Sequence, residues 1–324
     1  MDKFIQKLQE IAEAAEKELE DNVEWVKRYA DYASVINENK ASILKVRKYF
    51  REPSPLYVYS NISCAKGAKK EELVTFDLRY KGQSVANIKN RKNNLKLVTK
   101  KNTMDFYGIE GGKTLDWKSK EAENFRGSFV KKSPLRNDNA GKGNEEHRYE
   151  SALLTELSKT DGKNKVLKNI QPVDLVKSRF QMPTPFRASK INFTYARHKG
   201  GGIDLLCRTK HGGKSKLNIF ELKDEYEDPV NVLRQAVIYS VFIHKLLKTP
   251  EAGSEIWLKL FKFSKAPVQI NAVAALPKDK NNDKSFRDKK IILKDGTIHL
   301  HYFYFSLSKT DKIESSIETS IFKD

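Results

Sequence analysis

The stretch that most constrains the fold of this 324-residue chain is a hairpin signal between residues 203 and 223. Ile203-Asp204-Leu205-Leu206 reads as a buried strand, His211-Gly212-Gly213-Lys214 as a tight turn, and Ile219-Phe220-Glu221-Leu222-Lys223 as the returning strand. With Gly212 and Gly213 as the two turn residues, Asp204 falls directly opposite Glu221. Opposed residues have Cβ atoms about 4.5 to 5.5 Å apart, and like charges placed there repel. Strand alternation puts Lys223 on the side of the two acids and sends Phe220 and Leu222 to the other, apolar side. A sheet built on this hairpin must bury one face and find a cation for the other.

Helical patterns flank the hairpin. In residues 145–158, Leu153, Leu154 and Leu157 stand at i+3, i+4 and i+7 from Glu150, so this carboxylate lies along the apolar stripe. Residues 228–248 read as a second helix, with Pro229 suited to its first turn and Gln235 and Tyr239 one turn apart on a common face. A strand at 269–276 and a hairpin at 291–307, turning at Asp295-Gly296, follow. An acid pair with an ammonium group at this spacing outlines a metal-dependent phosphodiesterase.

The order Glu150, Gly202-Ile203-Asp204, Glu221-Leu222-Lys223, Gln235-x-x-x-Tyr239 resembles the PD-(D/E)xK nuclease superfamily, including the Q-x-x-x-Y helix of its phage-exonuclease and RecB-like branches. The resemblance covers residues 145–248, extends to the end of the chain if the later strands complete the sheet, and leaves the first half uncovered. It implies an α+β or α/β fold with a restriction-endonuclease-like mixed sheet flanked by helices. It also implies Mg²⁺ or Mn²⁺ held by Asp204 and Glu221, with Glu150 as an extra ligand and Glu146 as its runner-up. In the mechanism the resemblance implies, the cation on Asp204, Glu221 and the Leu222 carbonyl would neutralise phosphate and acidify a water, and Lys223 would help activate that water by adding positive charge beside it. Gln235 would hydrogen-bond a phosphate oxygen or a catalytic side chain, and Gln235 and Tyr239 would shape the site and meet the nucleic acid. Ile203 stands where the family motif has Pro. The activity implied is that of a DNA endonuclease of the restriction or phage-defence kind. Two alternatives fit the same residues: a non-catalytic nucleic-acid-binding protein on a nuclease-like scaffold, and a nuclease subunit that works with an ATPase or methylase partner. Cutting both strands usually needs two sites, which makes a homodimer a further expectation.

Charge agrees with a polyanionic partner. The chain has 61 Lys and Arg against 42 Asp and Glu, a net charge of +19, and duplex DNA is the leading candidate. No basic amphipathic helix or lipidation signal points to a membrane. The two cysteines, Cys64 and Cys207, cannot make a structural zinc site by themselves. With no signal peptide or long apolar run, a reduced, cytoplasmic protein is expected.

The first half reads as a separate small α+β domain, residues 1–131, with an N-terminal helical region. Its apolar stripes are Phe4, Ile5, Leu8, Ile11, Ala12, Ala15 and Leu19, then Val23, Val26, Tyr29, Ala30, Ala33 and Ile36. Strand-like runs lie at 56–60, 73–80, 84–89 and 95–99, with Lys81-Gly82 as a turn. Residues 132–144, polar and holding Pro134, Gly141 and Gly143, read as a linker to the nuclease-like domain at 145–324. Arg79, Lys81, Lys89, Arg91 and Lys92 are candidates to track a phosphate backbone, and Gln83, Asn87, Asn90 and Asn93 to read base edges; a solvated sheet face is the alternative. Glu110-Gly111-Gly112-Lys113-Thr114 ends like a phosphate-binding loop, but Tyr107 stands where that motif needs Gly, so no ATP hydrolysis is expected. His299-Leu300-His301 has no third ligand nearby and reads as ordinary strand packing.

Overall fold

The structure, a computed structural model, describes residues 3–47, 55–62, 74–91, 94–131, 145–159, 165–175, 178–189, 192–197, 200–211, 214–224, 227–264, 268–279 and 282–322. The expected linker at 132–144, Cys64, Lys92, Asn93 and the turn residues Gly212 and Gly213 lie outside the described residues. The fold is mixed α and β, with two seven-stranded sheets among the described residues.

Helices α1 (Lys3–Asp21) and α2 (Glu24–Arg47) open the chain. Ile5, Leu8, Ala12, Ala15 and Leu19 recur at helical spacing and are all buried, as the stripe predicts. The second stripe is shifted from expectation. Val23 is 65% exposed in the turn before α2, and Trp25, Tyr29, Tyr32, Ala33 and Ile36 form the buried face instead. The Trp25 indole N–H donates to the Leu19 carbonyl at 3.0 Å, which fixes the phase of α2 against the end of α1.

The first sheet is built from β1 (Leu56–Ile62), β2 (Val74–Tyr80), β3 (Gln83–Arg91), β4 (Asn94–Thr99) and β5 (Thr114–Asp116), consecutive antiparallel neighbours. The short helix α3 (Thr103–Tyr107) joins β4 to β5, and α4 (Lys120–Lys131) follows. Leu56, Val58, Leu78, Tyr80, Ala86, Ile88 and Leu97 pack with Phe125 and Phe129 of α4. Alternation therefore turns Tyr57, Tyr59, Asp77 and Arg79 to the other face, where Tyr59 joins the cluster around α5 (Glu145–Leu157). The Glu110–Thr114 segment is a loop running into β5, with the Lys113 ammonium 2.9 Å from Glu110, as expected.

Next come β6 (Ile170–Pro172), β7 (Asp174–Leu175), β8 (Ser178–Phe180), β9 (Met182–Pro183), β10 (Phe186–Ala188), β11 (Phe193–Tyr195) and β12 (Gly202–Ile203). The chain closes with β13 (Leu205–His211), β14 (Lys214–Leu222), α6 (Pro229–Lys248), α7 (Ser254–Leu260), β15 (Gln269–Pro277), β16 (Lys290–Leu293), β17 (Gly296–Phe305) and β18 (Glu318–Thr319). The second sheet runs β16-β17-β15-β14-β13-β6, with β18 on β17. β14, β15 and β17 are mutually parallel, and α6 is the crossover that parallel β14 and β15 require. Asp228 caps α6 by accepting from the Val230 N–H at 2.9 Å, and Pro229 occupies the first turn. The turn between β16 and β17 falls at Lys294-Asp295, one residue before the position expected from sequence.

Packing crosses the boundary expected at 132–144 in two places. The core on the α6 side of the second sheet runs without interruption from Ile5, Leu8 and Tyr29 to Val237, Phe242, Ala272 and Tyr304. Conversely, β8 pairs in parallel with β1, so a strand from the second half extends the first sheet. Helix α6 is buried nearly all round because the sheet lies on one side and α1 and α7 on the other. Among the described residues no helix is long and apolar enough to cross a membrane.

The β2–β3 turn presses on α5. Lys81 and Gly82 both take positive φ, 47° and 84°, as the hairpin turn favoured by strand twist requires. A Cβ on Gly82 would lie 2.2 Å from the His147 carbonyl oxygen. Gly82→Ala combines a left-handed backbone with this clash, and a loss of roughly 1–3 kcal/mol is expected. Urea unfolding should show it as a lower midpoint at unchanged slope; an unchanged midpoint would show that the turn and α5 are free to separate.

Candidate active site

The register of the β13–β14 hairpin places the two acids together. Leu205 pairs with Phe220 and His211 with Lys214, so Asp204 immediately precedes the first paired residue of β13 and Glu221 immediately follows its partner in β14. Phe220 and Leu222 enter the cluster with Leu205, Val273 and Phe303, while Leu206, Leu217 and Ile219 face α6. Alternation with Phe220 and Leu222 gives Glu221 the α6 side of β14, and Asp204 lies close enough for its charge to act on it. One Asp204 oxygen, Oδ2, accepts from the Leu222 backbone N–H at 2.9 Å, which fixes the carboxylate across the end of the hairpin.

Lys223 supplies the cation that this face needs. Its ammonium donates to Glu221 Oε1 at 2.8 Å, to the Leu222 carbonyl at 3.0 Å and to Glu146 Oε2 at 3.3 Å. Glu221 is 3% exposed, and its second oxygen, Oε2, is buried with no hydrogen-bond partner among the described residues. Burial, and then the Asp204 charge, pushes the Glu221 carboxyl up to about 8. Burial also raises Asp204, against the opposing pull of Lys223 and the Leu222 N–H. Burial would lower Lys223, but Glu221, Asp204 and Glu146 outweigh it and hold the ammonium charged above its ordinary value.

Helix α5 brings two more acids. Glu146 reaches Lys223, and Glu150 is 2% exposed with Oε1 unpartnered among the described residues. Its Oε2 lies 3.7 Å from His147 Nδ1 and 4.0 Å from Arg79 Nη1. The Glu150 carboxylate raises the pKa of His147, whose field also includes Asp204. His147 went unremarked in the sequence, although its spacing of three from Glu150 on a helix was a readable signal.

On α6, Gln235 and Tyr239 are both buried. The Gln235 amide donates to the Ala188 carbonyl at 2.9 Å, so it anchors the β10 backbone where sequence suggested a phosphate or catalytic contact. Tyr239 is raised mainly by burial and then by Glu221 and Asp204, whose field it therefore shares. Its hydroxyl abuts Gly201, where a Cβ would lie 2.5 Å away.

Of the basic candidates in the first half, two of the three whose side chains are described are engaged by acids. Arg79 is buried among Asp77, Glu150 and Tyr59, and Lys81 lies 3.3 Å from Asp311. Lys89 is exposed on β3; the Arg91 side chain lies outside the described residues. His301 is buried with Nδ1 3.1 Å from Ser320 Oγ, and burial pushes it down to about 4, in keeping with a packed, neutral ring.

No family model, curated protein or solved structure matches this chain. Among the described residues no group of three or more His, Cys, Asp or Glu side chains is arranged to hold a metal ion. The site instead offers a pair, Asp204 and Glu221, with Glu150 and the unpartnered oxygens Glu221 Oε2 and Glu150 Oε1 nearby. Mg²⁺ is commonly bound by one or two carboxylates together with waters and substrate phosphate, so a surplus of acceptors on a pair fits it. The Leu222 carbonyl, expected as a further ligand, accepts from Lys223.

A carboxyl raised in the folded state stabilises fully below its unfolded pKa and loses that contribution as pH rises through the folded value. For Glu221 the window runs from 4.5 to about 8. In EDTA, the thermal midpoint should fall from about pH 5 to about pH 8, and Glu221→Gln should flatten that fall. Parallel profiles for the two proteins would mean that Glu221 titrates normally.

Proposed function

We propose that the chain is a divalent-metal-dependent endonuclease of the restriction or phage-defence kind, hydrolysing phosphodiester bonds in DNA. The observation that carries this reading is the meeting of Asp204 and Glu221 at the end of one hairpin, with the Lys223 ammonium on Glu221. The order of α5, the hairpin, α6 and parallel β15 supports a restriction-endonuclease-like sheet and the PD-(D/E)xK assignment.

Asp204 and Glu221 would hold Mg²⁺ or Mn²⁺, with Glu150 beside them. Such an ion neutralises charge on the phosphate and lowers the pKa of a water. Lys223 keeps its proton under the field of three carboxylates, so it acts as a fixed positive charge that orients the water and offsets the developing anion, not as a base. Gln235 holds the Ala188 backbone and Tyr239 seals against Gly201, so α6 shapes the wall of the site. The net charge of +19 favours approach of a nucleic acid.

Purified protein should cut duplex DNA with Mg²⁺ or Mn²⁺ and stop in EDTA. Asp204→Ala, Glu221→Ala and Lys223→Ala should each slow cleavage about 100-fold or more; a Lys223→Ala protein as fast as wild type would defeat the assignment. Parallel arms with single strands and RNA define the substrate. Mg²⁺ should also raise the thermal midpoint of wild type, and do so less for Asp204→Ala, since ligands that bind only the folded state stabilise it. DNA binding should weaken steeply with salt, and a salt-insensitive affinity would count against backbone contacts.

A further inference from the structure

Glu150 is the acid of this site with the fewest local means of support. It is 2% exposed, Oε1 has no partner among the described residues, and its own helix offers it His147 at 3.7 Å. A buried carboxylate without compensation costs several kcal/mol. The nearest guanidinium comes from the other sheet: Arg79 of β2 places Nη1 4.0 Å from Glu150 Oε2.

Arg79 is itself held on several sides. Its Nε lies 3.3 Å from Asp77 Oδ2, its Nη2 lies 3.5 Å from Asn61 Oδ1, and its guanidinium carbon sits 4.1 Å from the centre of the Tyr59 ring. Asp77 is fixed in turn by the Ser84 hydroxyl, which donates to its other oxygen at 2.8 Å. With 11% of its side chain exposed, Arg79 is poorly placed to meet a substrate phosphate. A second arginine clamps the same junction: Arg179 of β8 lies 3.6 Å over the Tyr57 ring and donates to Thr155 Oγ1 of α5 at 2.9 Å. Only a planar, forked cation can stack on Tyr59 while serving Asp77, Asn61 and Glu150 from separate nitrogens.

We propose that Arg79 is a positioning residue for Glu150, by which the first sheet holds this carboxylate in place beside Asp204 and Glu221. The first sheet is then a part of the catalytic unit. This assignment rests on the nuclease reading, because Glu150 matters only if the acids act together.

The test is single-turnover cleavage of duplex DNA by the full chain in Mn²⁺, comparing wild type, R79A, R79K, E150Q and R79A/E150Q. R79A should lower the cleavage rate at saturating protein about 10- to 100-fold with little change in half-saturating concentration, since Arg79 touches no substrate. R79K, which keeps the charge but not the fork, should recover a minor part of the loss. In the E150Q background the R79A change should cost little more, whereas a purely structural role would cost the same in both backgrounds. If R79A fails to fold by circular dichroism, R79K alone and in the E150Q background decides the point by the same non-additivity. An R79A or R79K protein as fast as wild type, or losses that multiply in the double variant, overturns the positioning role while leaving the nuclease reading intact. A wild-type protein that does not cleave overturns both.

Discussion

Two carboxylates forced together at the end of one hairpin, with an ammonium group two residues on, set the terms for the rest of this fold. Asp204 and Glu221 cannot both carry charge in a buried setting without a cation, and Lys223 meets that need by drawing on Glu221, Glu146 and the Leu222 carbonyl at once. The apolar side of the same strand binds the site to the core, because Phe220 and Leu222 lie under α5. Polar surplus on one face and dry packing on the other come from a single alternation of residues. The oxygens left over are those that the proposed divalent ion would share, and the proposed nuclease chemistry rests on that surplus.

Much of this was legible in the sequence for a local reason. The hairpin register needs only a turn and a period of two, and the described ladder from Leu205–Phe220 to His211–Lys214 keeps it. The helix bearing Gln235 and Tyr239 needs only a cap and a period of 3.6, and it too stands where expected. Glu150 was visible as an acid on an apolar stripe, and it is buried. The unread part concerns partners distant along the chain. Periodicity says that α1 has an apolar face but not that α6 and β16 cover it. Val23 fitted the stripe by count, yet Trp25 took the buried phase, because the turn before α2 resets the helical register.

Arg79 illustrates the same limit at the site itself. As a letter in a basic stretch it resembles Lys89, but strand alternation and the register with Tyr57 turn it inward toward α5. Gln235 shows the converse: its position was legible and its contact was not, since the Ala188 carbonyl comes from a strand 47 residues away. Chemistry-bearing residues were found by local pattern, and their working partners were supplied by tertiary packing.

The burial of α1 against α6 and β16 bears on how the protein is made. Ile5, Leu8 and Ala12 leave the ribosome long before Val237, Phe242 and Ile291 exist to cover them, so the nascent chain carries a bare oily helix through most of its synthesis. Such late-closing contacts slow folding and invite chaperone attention. They also mean that a prematurely terminated product lacks the scaffold that brings the acids together.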